Sequence, residues 1–155
     1  MSGRIAARLK DLGIALPVAA APQGAYVPWV KTGNLLFISG QITMGPAGLE
    51  YVGTVGRDIN LEAARAAARL AAINVLAQTS AALDGDLDRV KRVVKVTGFV
   101  NAVPGFTQHP EVVNGASQLF AEIFGEAGRH ARAAVGASSL PRNVAVEVEA
   151  IFEIA

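Results

Sequence analysis

Two charged residues stand in apolar surroundings near the C-terminus. Arg132 lies in "HARAAVGASSLPRN", among alanines and a glycine, and Glu147 lies between valines in "VAVEVEAIFEIA". A planar guanidinium can grip a carboxylate through two parallel hydrogen bonds. A fixed carboxylate can orient water or take its proton. Together they could line a pocket that takes a small carboxylic acid. A structural Arg–Glu pair at a subunit contact accounts for the same two residues equally well.

Alternation sets the faces of the strands that carry them. In 144–152, Val144, Val146, Val148, Ala150 and Phe152 share one face, and Glu147, Glu149 and Ile151 share the other, with Glu153 beyond. In 131–137, Ala133, Val135 and Ala137 oppose Arg132, Ala134 and Gly136. Pairing the segments as an antiparallel hairpin, apolar against apolar, puts Arg132 on the glutamate face, opposite Glu147 or Glu149. Ala134 and Gly136 then leave a hollow beside the guanidinium.

Other chemistries find little support. His109 and His130 are the only histidines, and there is no cysteine. Neither histidine has a metal-ligand spacing, so both read as loop or surface residues and no metal site is expected. Without cysteine there is no disulfide, thiol nucleophile or thiolate ligand. The net charge is +1, and the 14 Lys and Arg are scattered rather than gathered into a phosphate-binding footprint. Neither a Walker A sequence nor a well-placed G-x-G-x-x-G is present. The N-terminus "MSGRIAARLKDLGIALP" does not read as a signal peptide, and no run nears the ~20 apolar residues of a membrane span. A cytoplasmic protein is expected.

The chain of 155 residues, 52% hydrophobic and 17% charged, is read as one domain spanning 1–155. Ile5, Leu9 and Leu12 predict a helix within an N-terminal extension, 1–17. Two strands flank Thr32–Asn34, with Pro28 marking the first as an edge or irregular strand. A third strand is predicted in "EYVGTVG", 50–56. Asn60 caps a long alanine-rich helix to about Leu83. A strand follows from Val90, then a helix with Pro110 in its first turn, then the final strand pair. The order α, ββ(β), α, β, α, ββ predicts an α+β fold, one sheet with two helices on one face. The uncovered face predicts a homo-oligomer.

These residues resemble the RidA/YjgF family of reactive-intermediate deaminases, also described as L-PSP endoribonucleases. "RAAVGASSLPRNVAVEVEA", Arg132 to Ala150, resembles the family's R-(small)-x-V…L-P…(V/I)-E-(V/I)-E-A signature. "GNLLFISGQI", Gly33 to Ile42, resembles its "GN-hydrophobic-SGQ" strand. "KVTGFVNAVPGFTQHPEVVNGASQLFAEIFG" resembles a block that closes in V-N-x-x-(Y/F), with Asn114 at the asparagine. The N-terminal helix and "EIFGEAGRHAR" mark a less-characterised branch.

The resemblance implies a chorismate-mutase-like α+β subunit with a mixed or antiparallel sheet, assembled as a homotrimer with sites between subunits. It implies hydrolysis of enamines or imines derived from amino acids to 2-oxo acids and ammonia, without a cofactor. Arg132 would hold the substrate carboxylate, and Glu147 would orient or activate water. Tyr26, Ser39, Gly40 and Gln41 would line the pocket, with Asn114 in support. The chain departs from the pattern at Pro28, where glutamine is common, at Ala134, and at Gly136, where many members carry glutamate. A trimer that only binds a small carboxylate metabolite is the alternative, and an endoribonuclease a distant third.

Overall fold

The computed structural model describes residues 3–155; residues 1 and 2 of the N-terminal extension lie outside that range. Helix α1 (Arg4–Asp11) forms where the leucine–isoleucine spacing predicts it. Its first amides, of Arg4 and Ile5, each donate at 2.8 Å to the carboxylate of Asp88. That acceptor satisfies donors which a helix start otherwise leaves unpaired. Ile5 and Leu9 are buried in the main core, so α1 is built into the fold.

Strands β1 (Trp29–Thr32) and β2 (Leu35–Gln41) form a hairpin around Gly33, whose φ of 58° suits glycine. Pro28 immediately precedes β1, the strand at one edge of the sheet. The strand predicted at 50–56 does not form. A separate ribbon of β3 (Met44–Gly45) and β4 (Gly48–Leu49) precedes it, and Val52 and Val55 make only isolated bridges. Tyr51, Gly53 and Gly56 all have positive φ, which breaks any extended run. The buried Asn101 side chain ties this loop down, donating to the carbonyls of Gly53 and Val144.

Helix α2 (Leu61–Ala82) is capped by Asn60, whose side chain accepts from the Ala63 amide at 2.8 Å. Its alanines at 64, 67, 68, 71 and 72 are fully buried. Helix α3 (His109–Phe124) lies so close that a Cβ on Gly115 would collide with the Arg65 carbonyl. That approach fixes how α3 presents Asn114 and Ser117. Both helices cover one face of the sheet. None of the described helices is long and apolar enough to cross a membrane.

The remaining strands are β5 (Val90–Asn101), β6 (Ala131–Ala137) and β7 (Val146–Ile154), and the sheet order is β1-β2-β7-β5-β6. The expected β6–β7 hairpin is therefore absent. β5 lies between them, parallel to β6 and antiparallel to β7. The crossover through α3 returns the chain beside β5 in parallel, and β7 takes the other edge of β5.

This topology overturns the expected shared face. Directly paired residues point the same way. One row runs Trp29, Ile38, Ala150, Val96, Arg132, and its inner members are core residues facing the helices. A second row runs Glu147, Phe99, Val135 on the open face. Arg132 and Glu147 thus lie on opposite faces of the sheet. Two strand spacings and three residues separate them, roughly 14 Å between Cα positions.

Candidate functional site

Arg132 sits on edge strand β6 and turns inward onto α3. Its Nη1 donates to Asn114 Oδ1 at 2.8 Å and to Ser117 Oγ at 3.2 Å. The two acceptors, one helical turn apart on α3, fix the plane of the guanidinium. Neither Nε nor Nη2 has a hydrogen-bond partner among the described residues, and no carboxylate there pairs with this cation. A cleft of about 290 Å³ opens beside it, lined by Ser117, Gln118, Ala121, Gly128, Arg129, His130 and Arg132. The free donors and the cleft suit a small anion.

The hollow expected at Ala134 and Gly136 lies elsewhere. The His109 imidazole fills the space over Gly136; a Cβ there would sit 2.8 Å from Nε2. Ala134 packs against the core. The open volume is at the other end of β6, toward Gly128 and His130.

His130 is half-buried in the cleft wall, not a surface residue. Its Nε2 lies 2.8 Å from Ser117 Oγ and its Nδ1 2.7 Å from the Gly128 carbonyl. The Phe120 ring meets the imidazole edge-on, with centroids 5.9 Å apart. Burial first, and the Arg132 charge as well, hold its pKa below the ordinary imidazole value, against the Gly128 hydrogen bond that raises it. Ser117 and His130 are the functional candidates that sequence reasoning missed. The available signal was a departure from the family block, where Ser117 occupies the position of the closing aromatic.

Glu147 belongs to a second cluster on the open face. β2 bulges between Ile38 and Gln41, and Ser39 and Gly40 occupy the bulge. The Glu147 side chain lies directly over Gly40; a Cβ there would collide with Oε1. Glycine is what lets the carboxylate rest against the β2 backbone. Ser39 Oγ donates to the Val27 carbonyl at 2.7 Å, and the Ser39 amide to that of Pro28 at 3.0 Å. These bonds pin the segment carrying Tyr26 beside the bulge. Tyr26 is 49% exposed, and its hydroxyl accepts from the Gln23 amide at 3.2 Å. Gln41 Nε2 donates to its own strand at the Ser39 carbonyl. Burial, then the nearby charge of Glu149, pushes the Glu147 pKa above the usual carboxylate range.

The candidate residues therefore fall into two groups. Asn114 joins Arg132, and Ser39, Gly40 and the Tyr26 segment gather near Glu147, while Gln41, paired with the core residue Val148, points to the opposite face. Among the described residues, no group of three or more histidine, acidic or cysteine side chains could hold a metal.

The five-stranded mixed sheet with helices on one face matches the fold of the solved YjgF gene product of E. coli, with a TM-score of 0.61 at 32% identity over 87% of this chain and 92% of that one. The chain belongs to the YjgF family: the model described as "YjgF/chorismate mutase-like, putative endoribonuclease" matches residues 6–154. Protein TCP17 of Trypanosoma cruzi is 51% identical over 154 residues, 99% of this chain and 96% of the relative. The crystal structure of Atu1372 from Agrobacterium tumefaciens, itself of unknown function, superposes with a TM-score of 0.91 at 52% identity, covering 97% of this chain and 92% of that one. The 2-iminobutanoate/2-iminopropanoate deaminase of Dermatophagoides farinae is 33% identical over 141 residues, 91% of this chain and 94% of the relative.

Proposed function

We propose that this protein hydrolyses 2-imino and 2-enamino acids to 2-oxo acids and ammonia, at sites assembled between copies of the chain. The observation that carries this reading is Arg132, partly buried, held rigidly by Asn114 and Ser117, with free donors beside a cleft and no carboxylate partner among the described residues. A 2-imino acid supplies that carboxylate and places its electrophilic carbon one bond away. Glu147, held over Gly40, orients the attacking water. The iminium carbon is already reactive, so orientation supplies much of the rate. A deaminase relative with imino-acid substrates supports the same chemistry.

One chain cannot bring Arg132 and Glu147 to one small ligand, since the sheet separates them. A site that uses both needs the edge of one copy against the open face of another. That open face exposes Val30, Phe37 and Val135, 51%, 38% and 44% respectively, around the half-buried Phe99 and Ile151. Apolar area of this kind favours association. We take the assembly to be a homotrimer, and light scattering at micromolar concentration is expected to give the mass of three chains.

The test generates 2-iminopropanoate in situ with a serine dehydratase and follows pyruvate release. Release is expected to accelerate when the protein is added. No acceleration across several side chains rejects the enzyme reading. The separation of Arg132 from Glu147 also favours a second reading, a carrier that binds small carboxylates at the Arg132 cleft alone. Tight binding of 2-oxo acids without turnover would identify it.

A further inference from the structure

The cleft beside Arg132 holds a hydrogen-bond chain with a defined direction. The Gly128 carbonyl can only accept, so His130 Nδ1 carries the proton and Nε2 presents a lone pair. Ser117 Oγ therefore donates to Nε2 and accepts from Arg132 Nη1. The hydroxyl oxygen keeps one lone pair, in a side chain that lines the cleft. A hydroxyl bonded to a neutral imidazole, with the imidazole fixed by a third group, is an arrangement that moves protons.

We propose that Ser117 and His130 form a proton relay for the ligand that Arg132 holds, so that each chain carries acid–base groups beside its own carboxylate clamp. This rests on the deaminase reading and divides its labour: Glu147 aims the water, and the relay handles the proton. Water adds to the iminium carbon, forming the C–O bond as the C=N pair moves to nitrogen. A water proton passes to Ser117 Oγ while the serine proton passes to His130 Nε2, leaving a neutral carbinolamine and an imidazolium. The imidazolium returns its proton through Ser117 to the amine. The C–N bond breaks with its pair on nitrogen, and the carbinol proton goes to the departing ammonia.

The surrounding charges fit this cycle. Arg132 on β6 opposes protonation of His130; Arg129 in the preceding turn, 3.6 Å from Glu126, is the other cation lining the cleft. A carboxylate on Arg132 offsets its charge, so ligand binding and imidazole protonation favour one another.

Two measurements test the relay. In the first, the His130 ring is titrated by NMR with and without saturating pyruvate. Its titration is expected to move to higher pH with pyruvate, and no movement overturns the coupling. In the second, kcat is followed against pH in wild type, Ser117→Ala and His130→Gln. The wild-type rate is expected to fall on the acid side as His130 protonates. Each variant is expected to lose about a hundredfold in kcat and to lack that limb. Variants that bind pyruvate normally and keep the wild-type profile overturn the relay while leaving the deaminase reading intact. A wild type that hydrolyses no imine overturns that reading, and the relay with it, whatever the titration shows.

Discussion

The two clusters are built in opposite ways. The Arg132 group comes from one continuous stretch, β5–α3–β6, and its contacts are specific hydrogen bonds. The Glu147 group is gathered from β2, β7 and the loop before β1, and rests on a bulge and one glycine. The first has a fixed charge with free donors. The second has a carboxylate whose protonation its neighbours perturb. One cluster is suited to binding, the other to handling water.

The largest expected effect separates the two at once. Arg132→Ala should lower kcat/KM for 2-imino acids by roughly 3 kcal/mol, over a hundredfold, because the substrate carboxylate loses its partner. An imine without a carboxylate should be turned over no worse by the variant. Next, Glu147→Ala should lower kcat by about a hundredfold through misplaced water, while calorimetry finds 2-oxo acid affinity unchanged. Equal losses of affinity in the two variants would merge the clusters into one binding unit.

Gly40→Ala sharpens the point without touching a charge. The new Cβ must displace the Glu147 carboxylate, so kcat should fall by about tenfold with pyruvate binding intact. Smaller still is Gly136→Ala. The His109 ring tip must turn aside, but Gly136 is exposed and alanine suits a strand better than glycine, so stability in urea should change by less than about 1 kcal/mol, and the Arg132 cleft should bind as before. Loss of binding there would restore the hollow beside Gly136 as the ligand site.

The last prediction concerns stability. The native pKa of Glu147 lies above its unfolded value, so its favourable contribution is present below the unfolded pKa and is lost as pH rises through the native one. Glu147→Gln should therefore raise Tm relative to wild type, more at pH 7 than at pH 4. A scan at both values checks the sign.

How much of this the sequence carried depends on which distance was at issue. The alternation within 131–137 and within 144–152 is observed, because it depends only on strand periodicity. So is the cap at Asn60. Which strands are neighbours is a different matter. Alternation is the same whether β6 pairs with β7 or with β5, so the shared face of Arg132 and Glu147 did not follow. The role of His130 was equally hidden, since it depends on α3 lying across the start of β6. Gly136 misled because an empty Cα does not reveal that a histidine from the start of α3 occupies the space.

The continuity of β5–α3–β6 has a consequence for how this protein could be rearranged. Arg132, Asn114, Ser117 and His130 would travel together through any circular permutation opened in the 138–142 turn. Such a permutant should keep the carboxylate clamp as a transplantable module. The water-handling half has no such unity: every exchange of its parts must be matched at three distant points in the chain. The clamp can be inherited whole, while the other half can only be retuned piece by piece.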